Sequence, residues 1–262
     1  MYPELVRVGA VAVGTHDVLV AVALVVASAV FAAEVRRRGV RDDRLWYVIA
    51  GVLLGGVLLG RLGTWLQHLD LRRNASVVEQ WAYGNRSILS ALVGAYIGAL
   101  VAKRLCGYTE RTGHLFAPAV AAGMAVGRVG CLLTELPGTP TGGSWGITLS
   151  PAQAAGLPGA PAGVPLHPSF AYEIAFHLAA LAALAWLRGR LPAPADAFTL
   201  YLAGYAAFRF AVEFVRGNEV VAAGLTRPQW FLLACAPLFG WRLVTLARNG
   251  TFRLRRREEV PA

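Results

Sequence analysis

Residues 45–66 read LWYVIAGVLLGGVLLGRLGTWL, twenty-two positions interrupted by a single charge, Arg61. A helix on the surface of a soluble core alternates an apolar face with a charged one. This run is apolar all round and as long as the ~20 residues needed to cross a hydrocarbon layer. Six other apolar segments have the same character, at 14–33, 87–103, 115–134, 170–187, 196–215 and 228–247. The chain therefore reads as all-α, a polytopic membrane protein with about seven transmembrane helices. Composition agrees: the 262 residues are 56% hydrophobic and 15% charged, with a mean hydropathy of +0.51, more apolar than a soluble domain of this size.

The few charges are unbalanced, giving a net +10. Lys103 is the only lysine; the other cations are arginines spread over short loops, a pattern that reads as topology rather than as a nucleic-acid surface. The segments 34–44, 103–114, 188–195 and the tail after 247 hold fifteen Lys and Arg, and the segments between them hold six: Arg7, Arg72, Arg73, Arg86, Arg216 and Arg227. Basic loops stay cytoplasmic, so the expected orientation is N-terminus out and C-terminus in, which requires an odd number of spans. Arg7 alone precedes the first apolar run and the basic cluster follows it, the reverse of a cleavable signal peptide. The expected organisation is one integral membrane domain over 1–262, with an outer loop at 135–169 and a cytoplasmic basic tail at 248–262. That loop has no Lys or Arg and is rich in Gly and Pro, which argues against a folded extra domain and suits a lid.

Charges inside the spans are the candidate functional groups. A central charge costs at least about 2.5–3.5 kcal/mol, so it persists when paired or when it faces a wet cavity. Arg61, Arg128, Glu173, Arg209 and Glu213 fall inside predicted helices, and Arg216 ends the sixth. Arg209, Glu213 and Arg216 share one helical face by their i, i+4, i+7 spacing. Helix-register pairing is the plain structural reading. Three or more arginines against two intramembrane glutamates nevertheless leave a positive surplus, which suits an anionic phosphate, and in a bilayer that phosphate belongs to a phospholipid. Glu135 opens the outer loop and either reaches the site or is solvated. His167 precedes the fifth segment, where a loop histidine is commonly a bystander. Trp145 and Tyr172 read as interfacial aromatics. His16 lies at the first membrane entry, and its position alone does not decide its role. Cys106, Cys131 and Cys235 have no metal-ligand spacing, so neither a metal nor an organic cofactor is expected. A retinal protein is excluded because its lysine belongs in the last helix, and no ring-like carboxylate motif supports a channel. Gly60-Arg61-Leu62-Gly63 and Gly127-Arg128-Val129-Gly130 echo one another, with glycines that permit close helix approach.

Three strings, in order, carry a resemblance. Residues 127–147, GRVGCLLTELPGTPTGGSWGI, resemble the prolipoprotein diacylglyceryl transferase signature GRxGNFxNGExxGxPT followed by PWG. Residues 167–173, HPSFAYE, resemble that family's RHPSQLYE, and residues 205–219, YAAFRFAVEFVRGNE, resemble YGxxRFxxEFxRxPD. The resemblance implies a seven-helix enzyme of the bacterial plasma membrane. Such an enzyme moves a diacylglyceryl group from phosphatidylglycerol to the lipobox cysteine of a preprolipoprotein signal peptide, with membrane lipids as surroundings and no nucleic acid as partner. It implies catalytic roles for Arg128, Arg209 and Glu213, and substrate contacts for Arg61, Glu135, His167, Glu173 and Arg216. Glu135 matches with one residue deleted before it. Leu89 stands where the family's His-Gly-Gly histidine belongs, Cys131 replaces the signature asparagine, Leu166 the arginine before His167, and Val18 a tyrosine. A phospholipid-binding or phospholipid-moving protein of the same fold, without turnover, is the alternative expectation.

Overall fold

The apolar runs form helices almost where the sequence places them. The structure, a computed structural model, describes residues 4–9, 11–67, 87–157 and 159–255; residues 68–86 of the expected outer segment and 256–262 of the expected tail lie outside it. Seven of the described helices are long and apolar enough to cross a membrane: α1 Thr15–Arg37, α2 Leu45–Gln67, α3 Ile88–Cys106, α4 Gly113–Thr134, α5 Ser169–Trp186, α6 Asp196–Val212 and α7 Arg227–Arg248. The chain is thus a multi-pass, mostly helical membrane protein. Local signals set the ends. Ser87 caps α3 by accepting from the Ser90 N–H, and Gly107, with φ of 67°, closes it in the left-handed region. α3 runs past the expected end at 103 because Lys103 and Arg104 sit in its last turn, where the helix dipole favours cations.

By contact the chain divides into two compact units, Val40–Arg111 and Met1–Gly39 with Thr112–Ala262. The first unit is the α2–α3 pair. Its seam is glycine against glycine: a Cβ added to Gly55 would lie 2.2 Å from the Gly94 carbonyl oxygen, and one added to Gly98 would lie 2.0 Å from that of Gly51. Backbones in such contact are what GxxxG spacing provides in lipid, where apolar side chains gain little by leaving the solvent. The echoed Gly63 has a similar place, with its missing Cβ 2.0 Å from Ser90 Oγ.

The second unit holds α1 and α4–α7. Gly123, Gly127 and Gly130 line the face of α4 that meets Ala27, Ala23 and Leu19 of α1. Ala117 and Ala121 of α4 pack with Leu184 of α5 and Tyr201 of α6 in its core. One end collects arginine: Arg188 reaches Glu34 of α1 at 2.6 Å, and the Arg255 N–H donates to the Arg190 carbonyl at 2.9 Å. The opposite end carries the segment expected as an outer loop, and its described residues, 135–157 and 159–169, are folded. β1 Ile147–Thr148 pairs antiparallel with β2 Pro165–Leu166, a capped turn of helix spans Pro151–Ala155, and Leu149, Ala154 and Leu166 make a small core of their own. Its apolar residues are isolated in sequence among glycines and prolines, so no periodicity announced the fold.

Candidate active site

Three helix ends meet at the end of the second unit away from its arginine-rich end. α4 contributes Arg128 and Cys131 and, just past its last turn, Glu135. α5 contributes Glu173 from its second turn, and α6 contributes Tyr205 and Arg209, continued by a tight 3-10 turn over Glu213–Val215. Tyr205, Arg209 and Glu213 repeat every four residues and so share one face of the helix.

Glu173 is the hub. Arg128 Nε lies 2.7 Å from its Oε2, an ion pair by distance although the N–H is not aimed at the oxygen. The Tyr205 hydroxyl donates to the same oxygen at 3.1 Å and accepts from Arg128 Nη2 at 3.2 Å. Arg216 donates to Oε1, and its guanidinium covers the Phe170 ring at 4.3 Å. Beside this hub, Arg209 donates to Glu213 Oε2. Glu213 Oε1 accepts from Asn218 Nδ2 at 2.7 Å and from Thr226 Oγ1, at the start of α7, at 2.8 Å. Both carboxylates are fully enclosed, with side-chain exposure of 0%. A buried carboxylate is tolerated when its charge is paired and its lone pairs are satisfied, and here both conditions hold. Burial, and after it the neighbouring Arg209, draw the Arg216 pKa below its ordinary value, with Glu173 opposing.

The cations outnumber the carboxylates. Arg128, Arg209 and Arg216 are almost fully buried against two buried glutamates, and Arg209 Nε is enclosed with no acceptor among the described residues. A surplus of fixed guanidinium donors is chemistry for an oxyanion, phosphate above all. The cluster opens at Glu135 and His16, whose side chains are 45% and 44% exposed. Glu135 Oε2 lies 3.9 Å from Arg216 Nη2 and its Oε1 4.0 Å from His16 Nε2.

The structure therefore brings together Arg128, Glu173, Arg209, Glu213, Arg216 and Glu135. Arg216 pairs across to Glu173 rather than along its own helix. His167 belongs to a neighbouring aromatic group, its Nδ1 3.1 Å from the Tyr172 hydroxyl and its ring edge-on to Trp145. Arg61 lies on α2 in the other unit, with Nη1 buried and without a hydrogen-bond partner among the described residues. Sequence reasoning passed over Tyr205, Asn218, Thr226 and Cys131 as site groups. Tyr205 had a signal, its place four residues before Arg209 in a string of intramembrane charges. Among the described residues, His16, Cys131 and Glu135 are the group close enough to share a metal ion, their ligand atoms lying within 4.8 Å of one another. Arg128 Nη1, 3.7 Å from the Cys131 sulfur, opposes a cation there.

The fold and this cluster define a polytopic helical membrane protein with a buried, arginine-rich polar site at one end of its bundle. Comparison narrows the class. The family described as prolipoprotein diacylglyceryl transferase matches residues 3–245, nearly the whole chain, and the chain belongs to that family. It is 31% identical over 224 residues to the phosphatidylglycerol–prolipoprotein diacylglyceryl transferase of Cupriavidus metallidurans, covering 80% of this chain and 76% of that one. The protein of that name from Dehalococcoides mccartyi is 38% identical over 169 residues, 60% of this chain and 61% of its own.

Proposed function

We propose that this protein transfers the diacylglyceryl group of phosphatidylglycerol to the thiol of a lipobox cysteine in a preprolipoprotein, at the outer face of the bacterial plasma membrane. The observation that carries the reading is the surplus of buried guanidinium groups, with Arg209 Nε unsatisfied, in a member of this family. The orientation, N-terminus out and C-terminus in, rests on the arginine-rich end of the second unit: basic segments stay inside, which leaves the cluster at the outer leaflet.

In this reading the lipid phosphate lies between Arg128 and Arg209. Glu213 fixes Arg209, and Glu173 with Tyr205 fixes Arg128, so the donors are oriented before the lipid arrives. The acceptor sulfur attacks the glycerol carbon that carries the phosphate ester. A carbon–sulfur bond forms, the carbon–oxygen bond to phosphate breaks, and glycerol-1-phosphate leaves with the electron pair. The guanidinium groups stabilise the charge that gathers on the leaving phosphate. Residues 135–169, folded over this end, shape the approach of the peptide.

The test uses the full protein in phosphatidylglycerol bilayers labelled in the head-group glycerol, with a lipobox peptide added. Release of glycerol phosphate is expected only when the thiol is present, and Arg128→Ala is expected to lower it at least ~100-fold, the cost of removing one such oriented donor. Full activity in a properly inserted Arg128→Ala protein would sink the arrangement. Binding of phosphatidylglycerol with no thiol-dependent release would leave a lipid-binding protein.

A further inference from the structure

Thioether formation leaves a proton to be placed. A free thiol has a pKa of about 8.5, so at neutral pH most of the acceptor arrives protonated and a base must take that proton as sulfur attacks. The carboxylates of the buried cluster are committed. Glu213 accepts from Arg209, Asn218 and Thr226, and Glu173 is held by Arg128, Arg216 and Tyr205. The described histidines divide as clearly. His177 is fully enclosed with Nδ1 bonded to the Tyr201 hydroxyl, His167 is engaged by Tyr172 and Trp145, and His114 lies in the first turn of α4, at the far end. His16 is at the right end and half open.

We infer that His16 is the general base that takes the proton from the acceptor thiol, an inference that rests on the transferase reading. His16 stands in the first turn of α1 and packs against Gly130, where a Cβ would lie in ordinary contact with the imidazole, 3.6 Å from Cδ2, and more tightly against Leu19 Cβ at 3.2 Å. Nε2 points inward, 3.8 Å from Cys131 Sγ and 4.0 Å from Glu135 Oε1, while Nδ1 lies 4.0 Å from Asp17 Oδ1 on the outer side. The charged and titratable groups facing the ring are thus Asp17 of its own helix, Cys131 of α4, with Arg128 behind the sulfur, and Glu135, itself 3.9 Å from Arg216. With the proton on Nδ1 toward Asp17, the Nε2 lone pair faces the space between Cys131 and Glu135. Cys131 in turn lies 3.7 Å from Arg128 Nη1, and Glu135 3.9 Å from Arg216 Nη2, so the ring stands beside the arginines, and the acceptor sulfur approaches Nε2 from the half-exposed side. The S–H proton passes to Nε2 as the carbon–sulfur bond forms, Glu135 stabilises the imidazolium, and the half-exposed ring returns the proton to solvent.

A selenol is already ionised at neutral pH, which separates a base from a merely structural histidine. Transfer is measured in phosphatidylglycerol bilayers to two lipobox peptides, one with cysteine and one with selenocysteine at the acceptor position. For His16→Gln the expected result is a loss of kcat of roughly 100-fold or more with cysteine and less than about 10-fold with selenocysteine. Glu135→Gln shows the same preference with a smaller loss. Equal losses on both peptides overturn the base role. A Cys131→Ala protein as impaired as His16→Gln on cysteine also overturns it, because His16 would then be serving Cys131. If the parent protein transfers to neither peptide, the transferase reading fails, and this inference with it.

Discussion

The α2–α3 pair and the α4–α5–α6 cluster solve one problem in opposite ways. In lipid, an apolar helix surface gains little from meeting another apolar surface, so helices associate through close backbone packing or polar contacts. α2 and α3 use the first: Gly51, Gly55, Gly94 and Gly98 bring carbonyl oxygens to where side chains would otherwise stand. α4, α5 and α6 use the second, with Glu173 tying Arg128 of α4 and Tyr205 of α6 to α5. The difference is instructive because only one solution leaves chemistry behind. A glycine seam has no group with which to act on a ligand. A polar cluster that carries more guanidinium than carboxylate is held together and remains ready for an anion.

The comparison breaks most sharply at Arg209. Arg209→Ala strands Glu213 as a buried charge with Asn218 and Thr226 as its remaining partners, and is expected to cost about 3–5 kcal/mol of stability, read as lower resistance to denaturant in mild detergent. Replacing both members, Arg209→Met with Glu213→Leu, is expected to recover most of that stability and none of the transfer activity. If the double variant stayed as unstable as the single one, the charges would be required by the fold itself. At the glycine seam the expected effect is smaller and purely structural. Gly94→Val puts side-chain carbons where a Cβ alone meets the Gly55 carbonyl at 2.1 Å, and overpacking of this kind costs about 1–3 kcal/mol. A Gly94→Val protein of unchanged stability would show that the seam opens freely. Smaller again is Tyr205→Phe, which deletes the hydroxyl joining Arg128 to Glu173 and keeps the ring. A loss of about 1–2 kcal/mol is expected, the cost of one buried hydrogen-bonding group, together with weaker phosphatidylglycerol binding as Arg128 loses a guide.

The spans were legible because a helix in lipid must be one continuous apolar run, and nothing else in the chain resembles one. The costly residues within them were legible for the same reason: Arg128, Glu173, Arg209 and Glu213 are conspicuous only against hydrocarbon. Pairing was less so. The spacing put Arg216 on the face of Arg209 and Glu213, but the helix tightens into a 3-10 turn at Glu213–Val215 and Arg216 crosses to Glu173 on α5. The meeting of His16 with Cys131 is 115 positions apart in sequence and depends on how α1 lies along α4. No local pattern encodes that. The glycine seam was half visible. The spacing points to close approach at Gly60 and Gly63, whereas the contacts of backbone against backbone lie at Gly55 and Gly51, more than one and more than two turns before Gly60.

The segment 135–169 lies between the two solutions, and the expected effect there is the most local, with the least change in the stability of the bundle. It is fastened to the bundle by backbone, the Thr139 N–H donating to the Val215 carbonyl at 2.9 Å, and its two ends are tied together by the His167 N–H donating to the Thr139 carbonyl at 2.9 Å. Gly138 makes this possible, since a Cβ there would stand 2.4 Å from the Val215 oxygen and 2.8 Å from that of His167. Gly138→Ala forces those strands of chain apart without touching an arginine. Its expected cost is about 1–2 kcal/mol of local stability, confined to the segment, with the unfolding midpoint of the bundle nearly unchanged. Limited proteolysis measures it: cleavage within 135–169 is expected roughly ten times faster than in the parent protein. Acceleration accompanied by an equal fall in bundle stability would mean that the segment is part of the helical core. Acceleration alone would mean that a glycine contact can dock a chain segment over the polar cluster, the first solution serving the second.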